Sequence, residues 1–260
     1  MKQTTIVSVL NQKGGVGKTT STINVAAFLA KAGKNVLVID ADPQGNASSG
    51  LGLDKNNLSP TLCDVLISGI DLNSAIQKTA FKNLEILPTN ARLASVEIDI
   101  AGEPAREQKL KNALVQYTGK YDYIFIDCPP ALGLLTINAL TASNKVIIPV
   151  QAEYYALEGL SQLLQVMQQV QKLFNPSLEL LGVVVTMFDR RNALSQQVYD
   201  EVGKHFGDKL FETVIPRNVR LAEAPSHGQP IGEYDKWSKG AKAYKNLALE
   251  IDKKSSGAIR

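Results

Sequence analysis

The segment Asn11-Gln12-Lys13-Gly14-Gly15-Val16-Gly17-Lys18-Thr19-Thr20 constrains the chain more than any other. An apolar, β-branched run precedes it at residues 4–10. A helical pattern follows at 18–32, with Ile23, Ala26, Ala27 and Ala30 on one face. A glycine-rich turn between a strand and a helix lets successive backbone N–H groups converge, and the helix start adds its positive dipole end. Such a loop cradles anionic oxygens. Lys18 supplies a point charge suited to β- and γ-phosphates, and the Thr19 hydroxyl can ligate Mg²⁺. A dinucleotide fingerprint fails, because Thr20 stands where its third glycine belongs. Gln12 replaces the first glycine of the usual G-x-x-x-x-G-K-[ST] pattern, and Lys13 adds a second cation. That surplus charge suggests that Lys13 serves a nucleotide bound by another subunit.

Apolar runs of strand length recur at 35–39, 84–87, 121–126, 145–150, 179–187 and 211–215. Helical patterns lie between and after them, the clearest at 154–174 and 238–251, with a shorter one at 61–67 that carries Cys63. The strand runs are nearly continuous in apolar residues, as expected where helices cover both sheet faces. The alternation predicts an α/β fold: a single doubly wound, mostly parallel sheet with helices on both faces. One domain is expected over residues 1–252, with 253–260 as a flexible tail.

Composition narrows the functional classes. The 260 residues carry 28 Lys and Arg against 25 Asp and Glu, a net charge of +3. Residues 1–185 are balanced at 15 of each sign, whereas 186–260 hold 13 basic and 10 acidic side chains. The surplus points to an anionic partner near the C-terminal end. Two cysteines, Cys63 and Cys128, cannot form a disulfide scaffold or a cysteine-based zinc site. His205 and His227 are isolated, so neither is assigned a metal. No apolar stretch reaches membrane-spanning length and the N-terminus lacks a signal peptide, so a cytoplasmic protein is expected.

KGGVGKTT at 13–20 resembles the deviant Walker A motif of the ParA/Soj chromosome- and plasmid-partitioning ATPases, relatives of the cell-division ATPase MinD. Asp40-Ala41-Asp42-Pro43-Gln44-Gly45-Asn46 resembles the family's switch I. Residues 123–130 (YIFIDCPP) resemble its Walker B strand and switch II. Residues 215–220 (IPRNVR) and 223–228 (EAPSHG) resemble its C-terminal signature. The likeness spans roughly residues 4–250.

The resemblance implies a P-loop NTPase that binds ATP or ADP with Mg²⁺. Lys13, Gly14, Gly15, Val16, Gly17, Lys18, Thr19 and Thr20 would form the phosphate site. Lys13 would reach across an ATP-sandwich homodimer, and Gly14 would sit where the two loops nearly touch. Thr19 would bind Mg²⁺ directly, with Asp40 and Asp127 acting through its waters. Asp42 would orient the attacking water, making Lys13, Lys18 and Asp42 the catalytic set. Pro216 and Asn218 would hold adenine, with Met187 open between ring packing and a core role. Non-specific double-stranded DNA would meet Arg191 and Arg220, and Arg190, Lys236, Lys239, Lys242 and Lys245 would extend the basic surface, in keeping with the C-terminal charge surplus. A ParB-type centromere-binding protein would stimulate hydrolysis, slow without it, and the protein would associate with the nucleoid. Only about five residues precede the first strand, so no operator-reading domain is expected there.

Three other readings were weighed against these residues. A MinD-like membrane ATPase needs a C-terminal amphipathic helix, yet residues 252–260 hold a single large apolar side chain. Stable membrane binding is therefore not expected. An iron–sulfur reductase needs paired cysteines near the dimer axis. A nucleotide-gated DNA scaffold that hardly turns over stays open on sequence alone.

Overall fold

The structure is a computed structural model and describes residues 4–117, 119–153 and 159–256. Among them the strands are β1 (Thr5–Val9), β2 (Val36–Asp40), β3 (Gln77–Lys78), β4 (Leu84–Leu87), β5 (Tyr123–Asp127), β6 (Lys145–Gln151) and β7 (Glu179–Thr186). They form one sheet in the order β3-β4-β2-β5-β1-β6-β7. Every pairing is parallel except β3 with β4.

Parallel strands need cover on both faces, and the side chains supply apolar surface to each. In β2, Leu37 and Ile39 enter one core while Val36 and Val38 enter the other. In β5, Ile124 and Ile126 oppose Tyr123 and Phe125 in the same way. Burying each such side chain contributes about 1.5–3 kcal/mol, so the alternation fixes the register of every inner strand.

The helices are α1 (Lys18–Lys31), α2 (Asn46–Gly50), α3 (Leu62–Ser68), α4 (Leu72–Ala75), α5 (Val96–Asp99) and α6 (Lys109–Leu114). Then come α7 (Leu134–Ala142), α8 (Leu160–Leu173), α9 (Ala193–Phe206), α10 (Val219–Glu223), α11 (Ile231–Tyr234) and α12 (Lys239–Ser255). Helices α1 and α12 cover one face; α3, α6, α7 and α8 cover the other. Because β5 lies between β1 and β2, the loops that follow these three strands open side by side at their carboxyl ends. That is where a doubly wound sheet binds its ligand.

Several boundaries differ from expectation. Residues 211–215 form no strand ladder: isolated bridges join Val183 to Leu210 and Phe188 to Pro216. The N–H groups of Glu212 and Thr213 donate instead to the Glu250 carboxylate, at 2.8 and 3.1 Å. The Phe211 and Ile215 N–H groups still donate to the Val183 and Val185 carbonyls of β7, both at 2.9 Å, so the run lies along that strand without closing a ladder. The short β3 had no sequence signal; it covers the open edge of β4. Helix α12 continues to Ser255, past the expected boundary at 252, and Lys254 Nζ donates to the Asp208 carbonyl at 2.9 Å. Residues 257–260 of the expected tail lie outside the described residues. So do 154–158, the start of the helix expected from 154, and α8 is described from Leu160.

Candidate functional site

The glycine-rich loop is fastened from two strands that follow it far along the chain. Asn11 Nδ2 donates to the Pro149 carbonyl at 2.7 Å, and its Oδ1 accepts from the Lys13 N–H at 3.0 Å. Thr186 Oγ1 donates to the Val16 carbonyl at 2.8 Å. Between these struts Gly15 and Gly17 take φ of 74° and 92°, a left-handed region that disfavours any side chain. Lys18 opens α1, is buried, and donates from Nζ to the Lys13 carbonyl at 3.1 Å. Burial lowers its pKa, while Asp127 and Asp42 pull the other way. A cation held this way is poised for an anion that displaces the carbonyl.

Three carboxylates face it from the ends of β2 and β5. Asp40 and Asp127 pair in register and both are fully buried. Asp127 Oδ2 accepts from Thr19 Oγ1 at 2.7 Å, and its Oδ1 from Thr22 Oγ1 at 3.3 Å. Burial, then repulsion by Asp40, pushes its pKa well up. Asp40 accepts from both the N–H and the hydroxyl of Ser48, each at 2.7 Å, and its pKa is likewise raised by burial. Asp42 is buried behind the loop and its Oδ1 accepts from the Gln44 N–H at 3.0 Å.

Among the described residues no three His, Cys, Asp or Glu side chains converge as a free-standing metal site. The donor set nevertheless fits Mg²⁺. One hydroxyl and two repelling carboxylates are hard oxygen donors, and Mg²⁺ usually takes its other ligands from phosphate and water. A cation beside Thr19 would relieve the repulsion between Asp40 and Asp127.

Of the residues expected around adenine, Met187 directly follows the Thr186 strut of the loop, and Pro216 is bridged to Phe188 just beyond it. The Phe188 N–H donates to the Ile215 carbonyl at 2.9 Å, and the Arg217 N–H to the Phe188 carbonyl at 3.2 Å. This sets Pro216 next to Met187, which follows β7 with φ of 52°. A non-glycine residue in that region is strained, as is common at ligand sites. Asn218 plays a part that its motif did not reveal: its Oδ1 accepts from the Arg220 N–H at 2.9 Å and caps α10. A cavity of about 240 Å³ lies beside α1 and α2, lined by Thr19, Thr20, Asn24, Ser49, Pro225 and Gln229. A larger one, about 600 Å³, lies at the amino ends of β2, β4 and β5, away from this chemistry.

The outward side of the loop differs from its inward side. Lys13 is half exposed and pairs with Glu153 at 2.9 Å. Gly14 has no left-handed φ, and, its two chain neighbours aside, no atom of the described residues lies within 4 Å of where a Cβ would stand. The expected DNA-contacting arginines are held by neighbouring carboxylates. Arg191, 90% exposed, grips Asp189 through Nε and Nη2 at 3.1 and 2.9 Å. Arg220 meets Glu223 at 2.9 Å and Asp235 at 3.6 Å. Arg190, Lys239 and Lys242 are exposed, and none forms an ion pair among the described residues.

Sequence reasoning missed Asn11, Ser48 and Thr186 as parts of the site. Asn11 alone had a local signal, since an Asn before a glycine-rich turn commonly accepts from the backbone two residues on.

The AAA domain family model matches residues 4–180. The sporulation initiation inhibitor protein Soj of Bacillus subtilis is 54% identical over 95% of this chain and 97% of its own. The chromosome partitioning protein ParA of Caulobacter vibrioides is 48% identical over 95% and 93%. Among solved structures, cobyrinic acid a,c-diamide synthase from Mycobacterium smegmatis with bound ADP and magnesium superposes with a TM-score of 0.87. It is 35% identical, over 98% of this chain and 97% of that one. With the phosphate loop, both switch aspartates and this likeness along nearly the whole length, the chain belongs to the Soj/ParA family of chromosome-partitioning ATPases.

Proposed function

We propose that the protein binds ATP with Mg²⁺ at this loop and pairs with a second copy around two nucleotides. In that state it binds duplex DNA without sequence preference, and it releases DNA when a ParB-type partner stimulates hydrolysis. The observation that carries this reading is the outward face of the loop. Its inward parts are fastened, since Asn11, Val16 and Lys18 are buried and hydrogen-bonded within the chain, whereas Lys13 and Gly14 are exposed and no described residue crowds Gly14. An exposed cation beside an uncrowded glycine on a phosphate loop leaves room for a second chain.

The remaining residues have roles that follow from position. Lys18, displaced from the Lys13 carbonyl, holds the β- and γ-phosphates, and the loop N–H groups and Thr20 hold the rest. Thr19, Asp40 and Asp127 would hold Mg²⁺, whose charge offsets that of the phosphates. Asp42 accepts a proton of the attacking water and aligns it; Lys13 of the second subunit neutralises charge at the γ-phosphate. Pro216 and Asn218 flank the base. The Asn218 Nδ2 is its donor toward adenine, because Oδ1 is committed to the α10 cap. Dimerisation doubles the basic surface, so DNA affinity rises by avidity. In a cell this makes the ATP-bound form nucleoid-associated. Among the described residues no helix is long and apolar enough to cross a membrane.

The test is duplex DNA binding by the purified protein with ATP, with ADP and without nucleotide, across a salt series. Binding that requires ATP and falls steeply with salt is the expected outcome. Equal binding in all three states, or none in any, overturns the DNA switch. In the same assay Asp42→Ala is expected to bind ATP and stay on DNA; normal turnover by this variant removes Asp42 from its role.

A further inference from the structure

Trp237 is the chain's single tryptophan and is 86% exposed, more than any other large hydrophobic side chain described. An indole left in water on a mobile loop would be unremarkable, but this one sits on a fixed turn. The Trp237 N–H donates to Asp235 Oδ1 at 3.2 Å. Ser238 donates to the Asp235 carbonyl through its N–H at 3.2 Å and its hydroxyl at 2.8 Å. The Ser238 hydroxyl then accepts from the Ala241 N–H at 3.1 Å and caps α12. The backbone is thus tied down while the ring stays out.

The surroundings of the ring are cationic. Lys236 Nζ lies 5.2 Å from the ring centroid. Lys239, two residues on, is exposed, and neither lysine forms an ion pair with the described residues. The second oxygen of Asp235 faces Arg220 Nε at 3.6 Å. One carboxylate therefore couples the Trp237 backbone to Arg220, an arginine of the proposed DNA surface. Charge complementarity selects a polyanion as the occupant, and an aromatic ring between cations suits a nucleic acid, whose sugars and base edges offer apolar surface between phosphates.

Resting on the DNA-binding reading above, we infer that Trp237 is a DNA-contacting residue. Its ring seats against the sugar and base edges of a duplex groove while Lys236 and Lys239 take flanking phosphates. The contact adds an apolar, salt-independent component to a surface otherwise described by arginine and lysine alone.

The single indole is its own reporter. Duplex DNA added to the ATP-loaded protein is expected to quench and shift Trp237 fluorescence, saturating with the same midpoint as DNA binding measured by anisotropy of labelled duplex. Trp237→Ala is expected to weaken DNA binding about tenfold at fixed salt while leaving the slope against log salt unchanged. Trp237→Phe should recover most of the loss. Lys236→Ala and Lys239→Ala should each reduce the slope by about 1. ATP affinity and DNA-free turnover of the tryptophan variants should match the parent, because the exposed ring lines neither the phosphate loop nor the cavity beside α1 and α2. If DNA binds with no fluorescence change and Trp237→Ala binds as tightly as the parent, this inference is overturned and the DNA-binding reading stands. If no variant or parent binds DNA in any nucleotide state, both fall together. A blue shift with vesicles of anionic phospholipid, and none with duplex, overturns it in favour of a membrane surface.

Discussion

Asp189 grips Arg191 through two side-chain contacts and also accepts from its backbone N–H at 3.0 Å. The guanidinium holds that carboxyl down, to a pKa of about 2. A depressed acid keeps its contribution above its unfolded pKa and loses it only as pH falls through the folded value. This pair is therefore constant between pH 5 and 8, and DNA affinity should show no titration from it in that window. Asp189→Asn retains an acceptor for the turn but removes the competing charge. It is expected to raise duplex affinity about two- to fivefold at low salt, as read by anisotropy, with the gain vanishing near 0.5 M salt. Lys18→Ala should abolish ATP binding in calorimetry, since the buried loop then lacks its cation. The placement of Lys18, Thr19 and the loop glycines between β1 and α1 was legible in the sequence because contiguous residues carry the pattern. The pairing of Arg191 and Arg220 with Asp189, Glu223 and Asp235 was not, because ion-pair choice depends on side-chain geometry rather than on spacing. The capping of α10 by Asn218 Oδ1 was likewise not legible, and it leaves only the Nδ2 group for the proposed adenine contact.

Helix α2 has five residues and too few internal hydrogen bonds to stand alone, so its place depends on what it is tied to. Ser48 is the knot. It donates to Asp40 through both its N–H and its hydroxyl, and the hydroxyl accepts from the Thr89 N–H at 3.0 Å. Ser48→Ala leaves the buried Thr89 N–H without that acceptor and costs about 1–3 kcal/mol, lowering the melting temperature of the nucleotide-free protein by about 2–10 °C. Unchanged melting would show that α2 is held by its apolar contacts instead. The long elements were readable: β2, β4, β5, α1 and α12 fall within a few residues of the boundaries that periodicity predicts. What escaped was settled between distant segments. The run at 211–215 shares its backbone N–H groups between β7 and the Glu250 carboxylate, and the open edge of β4 recruited the two residues of β3.

At the scale of the molecule, internal struts hold the loop to its own fold, and the proposed dimer assigns the outward Lys13-Gly14 pair to a second subunit. Gly14→Val meets open space among the described residues. The variant should fold with a melting temperature close to the parent's and bind ATP, yet remain a monomer by light scattering with ATP and fail to retain DNA. Dimer formation by this variant would remove Gly14 from the interface. Before any partner arrives, Lys13 rests on Glu153 in a pair with both side chains about half exposed. A contact of that kind is worth about 0.2–1 kcal/mol, which biases its closed form by no more than about fivefold. It therefore opens and reforms continually, and cannot act as a timer. For the proposed reach of Lys13 into a second subunit, Glu153 is thus no lasting catch: the cation can change partners whenever one is offered.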